Sequence, residues 1–181
     1  MKKTEEISGW FNYPNAFKFL VDSVPDNGVF VEAGAWLGKS STFLCDYAGE
    51  RIHIFIVDTW KGSQDELQTT HKLATQTDIY QIFLENMGDR KFIPIRKPSI
   101  EAATDFQNES CDVVYIDMEH TYEAVKKDIQ AWLPKVKAGG YISGHDYAGY
   151  APQVKQAVHE FFPQNKIKIM DSATWIYKKE Q

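Results

Sequence analysis

The stretch that decides the fold is residues 29–41, which read VFVEAGAWLGKSS. An apolar run ends in Glu32 and a glycine turn, and a helix-like segment follows it. Gly34 lets the backbone turn without a Cβ atom, and Gly38 lets the next helix begin close to a ligand. This order of strand, turn and helix is typical of a nucleotide-type pocket at the edge of a parallel sheet.

The spacing of the glycine turn narrows the kind of ligand. The pattern Glu-x-Gly-x-x-x-Gly departs from the Gly-x-Gly-x-x-Gly pattern of dinucleotide-binding turns, which disfavours a nicotinamide-dependent oxidoreductase. Glu32 would repel a phosphate group but suits a ligand that carries a cationic amine. A tight turn with only a structural role is the alternative, because short motifs of this kind also occur without a ligand.

Composition favours one core and a small partner. The chain has 181 residues, of which 43% are hydrophobic, so we expect a single domain over residues 1–181. Its net charge of -5 disfavours broad capture of nucleic acid or of an anionic membrane and favours small-molecule or glycan-like partners. No apolar run approaches the roughly 20 residues that span a bilayer, and the polar start lacks the apolar centre of a signal peptide, so we expect a cytoplasmic protein.

Strand-like and helix-like segments alternate along the chain. Strands are predicted at residues 29–32, 52–58, 92–95, 113–117 and 141–143, with two more at 167–170 and 174–178 that form a terminal hairpin. Helical spacing of apolar residues predicts helices at 16–24, 121–137 and 154–162, the second of them ended by Gly139-Gly140. Such alternation predicts right-handed crossovers and a mostly parallel sheet with an antiparallel C-terminal strand.

Polar residues close the strands. The strand ends carry, in chain order, Glu32 with Gly34, Asp58, Asp117 with His120, and His145 with Asp146. Ligands of open parallel sheets bind beyond the carboxyl ends of the strands, so these residues are candidates for a shared site. Any one of them alone could be a solvated loop residue or a helix cap, and their recurrence at one edge favours the site.

Each of these side chains suits a different task. Asp58 can accept hydrogen bonds from both hydroxyls of a ribose. Asp117, His145 and Asp146 could converge on a divalent cation, since Mg²⁺ prefers oxygen ligands and histidine admits Mn²⁺. Alternatively, Asp117 caps the helix that follows it and His145 bonds to backbone. His120 is the expected general base, because an imidazole with an unperturbed pKa of about 6.5 is neutral at physiological pH; a surface histidine is the competing interpretation.

Four motifs together resemble one known family. They are EAGAWLGKSS at 32–41, VDTW at 57–60, IDMEHTY at 116–122 and GGYISGHDY at 139–147. The chain resembles class I S-adenosylmethionine-dependent methyltransferases over residues 29–162, and within them the small-molecule O-methyltransferases that include macrolide-sugar enzymes, with catechol O-methyltransferase a more distant relative. The resemblance implies an α/β, Rossmann-like three-layer αβα sandwich with a seven-stranded sheet. It also implies in-line transfer of the sulfonium methyl to a hydroxyl oxygen of a small molecule or sugar.

The resemblance also implies how the cofactor S-adenosylmethionine is bound. Glu32 and Gly34 would border its methionine part, Asp58 would hold the ribose, and Ser99 would contact adenine. The expected cofactor-binding set is completed by Gly38, Ser40, Thr59 and Asp117.

In the metal-dependent branch of the family, Asp117, His145 and Asp146 fall at ligand positions for Mg²⁺ or Mn²⁺. His120 falls where the catechol enzyme has its lysine base, and Asp117 joins it as an expected catalytic residue. The chain departs from the family in reading Met118-Glu119 where members more often have Gly-Asp, and in placing His145 where the catechol branch has a carboxylate.

Acceptor recognition is expected from segments around the site. The N-terminal segment, the polar loop at 62–78 as a mobile lid, the loop at 147–152 or the second subunit of a homodimer could each supply it. Aromatic residues able to shield a sulfonium or stack on a substrate, or else to pack in the core, are Trp10, Phe11, Tyr13, Trp36 and Trp60. The alternative function is a non-catalytic cofactor-binding protein or partner subunit that keeps the fold.

Overall fold

The computed structural model describes residues 1–62, 70–148 and 151–180. Within these ranges seven strands form one sheet: β1 (Val29–Ala33), β2 (His53–Asp58), β3 (Ile93–Arg96), β4 (Cys111–Ile116), β5 (Val136–Gly144), β6 (Ile167–Met170) and β7 (Thr174–Lys178). The strand order is β3-β2-β1-β4-β5-β7-β6. The strands β1 to β5 pair in parallel, and β7 runs antiparallel to both of its neighbours. The predicted sheet is therefore confirmed.

Helices connect the strands. They are α1 (Pro14–Asp22), α2 (Lys39–Ala48), α3 (Thr70–Gln76), α4 (Ile79–Met87), α5 (Ser99–Ala103), α6 (Tyr122–Trp132) and α7 (Pro152–Phe161), with single 3₁₀ turns at Thr4–Glu6, Leu133–Lys135 and Gln164–Lys166. No helix in the described ranges is both long enough and apolar enough to cross a bilayer.

Alternation of side chains along the strands produces three layers. Phe30, Ile56 and Tyr115 are buried in one cluster with residues of α1, α2 and α4. Their neighbours in sequence, including Val31 and Val57, are buried in a second cluster with residues of α5, α6 and α7. Because successive side chains of a strand point to opposite faces, the sheet is apolar on both faces and is covered by helices on each. This is the predicted αβα sandwich.

The register of the sheet brings the strand ends to one edge. Pairing aligns the last residues of four parallel strands or their immediate neighbours, namely Ala33, Val57, Ile116 and Gly144. The residues that follow them are Gly34, Asp58, Asp117 and His145. The polar residues that the sequence scatters over more than a hundred positions are therefore neighbours in the folded chain.

One predicted boundary is wrong. The helix predicted over residues 121–137 ends at Trp132, and a 3₁₀ turn that contains Pro134 leads directly into β5. Proline has no N–H to donate to a helical hydrogen bond, so the helix ends before it. Gly139 and Gly140 are not the helix stop but lie within β5, where a Cβ atom on Gly140 would come within 2.6 Å of the carbonyl oxygen of Asp112.

The predicted lid is only partly described. Residues 63–69 of the polar stretch lie outside the described ranges, as do residues 149 and 150 of the second expected acceptor loop. The second half of the polar stretch is not a loop, because Thr70–Gln76 forms α3.

Gly34 fixes how closely two strand ends approach. It has a φ of +101°, and a Cβ atom there would lie 1.8 Å from the carbonyl oxygen of Asp117. The amide of Gly34 donates to Val57 O, and the amide of Asp117 donates to Ala33 O, so this contact is made by main chain on both sides. No side chain fits at residue 34 without moving the loop that follows β4.

We expect Gly34→Ala to lower the free energy of unfolding by about 3 kcal/mol or more, because it combines an unfavourable φ with a collision against backbone. The matched control is Gly139→Ala, which has a φ of +80° but no atom within 4 Å of the added Cβ and should cost only about 1 kcal/mol. Urea unfolding of both variants measures the difference, and equal losses would contradict the collision.

Candidate active site

A cavity of about 1090 Å³ opens at the carboxyl edge of the sheet. Gly34, Asp58, Asp117 and His145, each from a different strand end, line it. Pockets for single small ligands usually hold roughly 300 to 1,000 Å³. The cavity is therefore large enough for a nucleoside-sized ligand together with a second, smaller molecule.

Asp58 organises one wall of the cavity. Its Oδ2 accepts hydrogen bonds from the backbone N–H groups of Ala35 and Trp36, each at 2.9 Å, and its Oδ1 accepts from Trp60 N at 2.7 Å. A carboxylate offers about four acceptor positions, so the main chain uses three of them. Asp58 holds the glycine loop in place and keeps acceptor capacity for about one further donor.

Glu32 lies behind the cavity rather than in its lining. Strand alternation points it to the same face as Phe30, and its carboxylate accepts hydrogen bonds from Ser40 Oγ at 2.5 Å and from Ser41 Oγ at 2.6 Å. Burial raises the pKa of Glu32 to about 7, against the lowering effect of the two hydroxyls. Its side chain ties β1 to the start of α2, and the expected contact with a cationic amine has no support in this geometry.

The remaining predicted cofactor residues divide into two groups. Ser40, Thr59 and Ser99 line the cavity. Gly38 does not; a Cβ atom there would lie 3.0 Å from the ring of Phe83, so this glycine allows α2 to pack closely on α4. The expectation that Gly38 clears space for a ligand is replaced by a packing role.

Acids and histidines meet at the other side of the cavity. His120 Nε2 lies 3.0 Å from Asp146 Oδ2 and 3.6 Å from Asp117 Oδ1, and Tyr13 donates a hydrogen bond from its hydroxyl to Asp117 Oδ2 at 2.9 Å. One ligand atom from each of Asp117, His120 and Asp146 lies within 4.8 Å of the others, a grouping that could hold a metal ion. We call these three residues the acid–histidine cluster.

The cluster differs from the predicted ligand set by one member. His145, predicted as a ligand, places Nδ1 3.3 Å from Asp146 Oδ2 and packs its ring against Tyr13 at 4.5 Å between centroids. Its buried Nε2 has no hydrogen-bond partner among the described residues. His120 takes its place in the cluster. Asp117 is not the cap of α6, because the Thr121 side chain accepts from Ala124 N.

The charges of the cluster shift the pKa values of His120 and Asp146. Burial lowers the pKa of His120, but hydrogen bonds and charges of Asp117 and Asp146 outweigh it and raise this pKa to about 11. Burial would raise the pKa of Asp146, yet the two histidines hold it below its usual range. Between two carboxylates His120 therefore carries a proton at physiological pH, which differs from the neutral imidazole expected from its unperturbed pKa.

The far end of the cavity is built from α5 and α6. Ser99 begins α5, and its Oγ accepts a hydrogen bond from Trp132 Nε1 at 2.8 Å. Asp128, on α6, also lines the cavity although its side chain is buried. Burial raises the pKa of Asp128 to about 6, while a hydrogen bond with Ser99 lowers it.

Residues 31–147 match a family model described as a methyltransferase domain, which covers well over half of the chain. The chain belongs to this methyltransferase family. The methyltransferase resemblance seen in the sequence is confirmed, as is the predicted fold. A curated relative, the uncharacterized protein y4gI of Sinorhizobium fredii (strain NBRC 101917 / NGR234), is 28% identical over 144 residues. These residues cover 77% of this chain but 15% of that relative.

Solved structures share the fold at low sequence identity. The O-methyltransferase NovP has a TM-score of 0.68 and 16% identity, and the match covers 93% of this chain and 79% of that chain. Apo CalS11, a TDP-rhamnose 3'-O-methyltransferase of calicheamicin biosynthesis, has a TM-score of 0.60 and 15% identity over 91% of this chain and 76% of that chain. A putative rRNA methylase from Clostridium thermocellum has a TM-score of 0.59 and 15% identity over 99% and 98% of the two chains.

Two contacts of this cavity do not follow from the sequence motifs. Tyr13 is predicted to shield a sulfonium, stack on a substrate or pack in the core, and its bond to Asp117 is made across 104 positions of the chain, for which no local pattern exists. Asp128 did leave a signal, because it lies on the apolar face of α6 between Val125 and Trp132. A charged residue on a buried helix face indicates a specific partner.

The aromatic candidates divide between cavity and core. Trp10, Tyr13 and Trp36 line the cavity, and Trp10 is exposed at its rim. Trp60 is buried against Phe83, and Phe11 packs against the same core. The N-terminal segment therefore contributes aromatic side chains to the cavity lining.

The buried Glu32 predicts how stability depends on pH. Its pKa is raised from 4.5 to about 7, so the folded state retains a proton that the unfolded state releases. This stabilisation is complete below pH 4.5 and is lost as pH rises through 7, by on the order of 3 kcal/mol for this group. We expect Glu32→Gln to remove this component, so that urea unfolding at pH 5 and pH 8 shows a smaller pH difference than in the wild type. An unchanged difference would contradict the buried proton.

Proposed function

We propose that this methyltransferase transfers a methyl group from S-adenosylmethionine to a hydroxyl of a small molecule or sugar. The observation that carries the proposal is that Asp58 and the acid–histidine cluster line one cavity. Asp58 is a hydrogen-bond acceptor suited to a sugar hydroxyl, and the cluster is a charged centre suited to hold a cation beside an acceptor hydroxyl.

The residues present fit the cofactor. S-adenosylmethionine supplies a methyl group on a sulfonium that a hydroxyl oxygen can attack directly. Asp58 has capacity for about one ribose hydroxyl besides the three backbone amides it already accepts, rather than for both hydroxyls. Asp117 and Asp146 place negative charge near the position of a cationic sulfonium, and Trp36 presents an aromatic side chain to the same cavity.

The cluster also fits a divalent cation. Asp117, His120 and Asp146 would hold it, with two carboxylates suited to Mg²⁺ and an imidazole that admits Mn²⁺. A cation there would lower the pKa of a hydroxyl bound beside it. His120 would have to lose a proton for Nε2 to bind a cation, and because that nitrogen has one lone pair it could not then also serve as the general base.

A hydroxylated acceptor fits the open rim. Trp10 is 68% exposed there, and an exposed aromatic ring beside polar groups is suited to stack on a sugar ring. The structural neighbour NovP is an O-methyltransferase, and CalS11 is a TDP-rhamnose 3'-O-methyltransferase. The net charge of -5 disfavours an RNA acceptor.

Calorimetry with S-adenosylhomocysteine tests the cofactor site. We expect binding to the wild type and a loss of affinity by about tenfold for Asp58→Asn, because an amide accepts hydrogen bonds less strongly than a carboxylate and can present a donor instead. Thermal unfolding of the same variant controls for loosening of the loop. No binding at millimolar concentration would reject the proposal, and binding without methyl transfer to any of a panel of hydroxylated acceptors would favour a non-catalytic cofactor-binding protein.

Titration with Mn²⁺ tests the cluster. We expect Asp146→Asn and His120→Ala each to weaken Mn²⁺ binding by about tenfold or more, because each removes one of three ligands. His145→Ala should lower the Mn²⁺ affinity by a smaller factor. Asp105→Asn, which removes a surface acid paired with Lys97, should leave the Mn²⁺ affinity unchanged. Electron paramagnetic resonance of free Mn²⁺ measures the affinities. Unchanged binding in His120→Ala together with loss in His145→Ala would restore the ligand set predicted from the sequence.

A further inference from the structure

We propose that Asp128 is the residue by which the cavity distinguishes adenine from other purines, through a hydrogen bond from the 6-amino group to its carboxylate. This inference rests on the proposed cofactor and assigns a specificity-determining residue that the motifs did not include. Three observations carry it: the placement of Asp128, the hydrogen bonds of its neighbours, and its distance along α6 from the acid–histidine cluster.

The placement of Asp128 is unusual for an acid. It is 5% exposed, yet it lines the cavity. Val125, Ile129 and Trp132 on the same helix are buried in the core. A buried carboxylate is costly unless donors satisfy it, so a cavity-facing one is suited to a ligand that brings a donor.

The neighbours of Asp128 fix the direction of its hydrogen bonds. The Trp132 indole can only donate, so Ser99 Oγ must accept from it. The single hydroxyl proton of Ser99 remains available to a neighbour such as Asp128, and Ser99 lowers the pKa of that carboxyl against the raising effect of burial. Beside Ser99, the carboxylate of Asp128 is the stronger hydrogen-bond acceptor, because a charged acceptor binds a donor more strongly than a hydroxyl oxygen does.

The position of Asp128 matches the far end of the cofactor. It lies six residues beyond the first residue of α6, or about 9 Å along the helix axis, whereas the acid–histidine cluster precedes or neighbours the start of that helix. In S-adenosylmethionine the ribose joins the sulfonium on one side to adenine on the other. With the sulfonium near the cluster and the ribose at Asp58, adenine lies towards Pro98, Ile100 and Asp128.

The 6-position of the purine provides the chemical test. Adenine presents an amino donor there, whereas hypoxanthine presents a carbonyl acceptor, which a carboxylate repels. A site built to accept from the amino group should reject the oxo analogue, because its buried acceptor is left unpaired. In Asp128→Asn the amide NH₂ can turn to the carbonyl and donate a hydrogen bond to the analogue.

Calorimetry should compare S-adenosylhomocysteine with S-inosylhomocysteine. We expect the wild type to prefer the adenosyl compound by about tenfold or more. In Asp128→Asn we expect this ratio to fall to about one or to reverse. We also expect this variant to bind S-inosylhomocysteine more tightly than the wild type does. A merely structural role of Asp128 would not produce that gain in affinity. Glu101→Gln, which removes one exposed acid from α5 outside the cavity lining, should keep the wild-type ratio.

The outcomes separate this inference from the proposed function. If the wild type binds both compounds with equal affinity, Asp128 does not discriminate between the two purines although the cofactor is bound. The same conclusion follows if Asp128→Asn lowers the affinity for both compounds by the same factor. The wild-type ratio requires no variant, so the first of these results stands even if Asp128→Asn does not fold. If the wild type binds neither compound at millimolar concentration, the proposed function itself is rejected and this inference with it.

Discussion

The site depends on the contact between the main chain at Gly34 and the main chain at Asp117. A Cβ atom on residue 34 would lie 1.8 Å from the Asp117 carbonyl oxygen, so only glycine lets β1 and β4 end side by side. The loop after β1 is then held by Asp58 of the next strand, which accepts from the amides of Ala35 and Trp36. The loop after β4 carries Asp117 and His120. The cavity exists because these two loops diverge from one point of close contact.

The charge at this edge of the sheet depends on the hydrogen-bond and ion-pair partners of each acid. Glu32 is buried beside two serine hydroxyls, and its pKa rises to about 7. Asp146 is also buried, but His120 and His145 keep it ionised. Asp58 accepts three backbone N–H groups and keeps capacity for about one further donor. Three acids that look equivalent as strand-end residues therefore differ in charge and availability, and those whose charge faces the cavity are the ones suited to a cationic ligand.

The sequence predicted the elements more reliably than their ends. The four parallel strands from β1 to β4 begin and end within two residues of the predicted bounds. The apolar runs of β1 and β4 are buried on both faces, whereas β3 is an edge strand and is only partly buried. The boundary between α6 and β5 was wrong, since Val136 continues the helical spacing of apolar residues although Pro134 has already ended the helix. A periodic pattern reports burial, and burial is compatible with either element.

The sequence by itself determined the fold, the family and the edge at which the site lies. Each of these follows from local patterns: apolar strands, a glycine turn, and polar residues at strand ends. Only the tertiary structure decided which of these side chains face the cavity. It turned Glu32 towards α2, packed Gly38 against Phe83, replaced His145 by His120 in the acid–histidine cluster, and brought Tyr13 to Asp117. The physical reason is that a side chain's partner is set by the direction of its Cα–Cβ bond and by packing across the sheet, which join residues far apart in the chain.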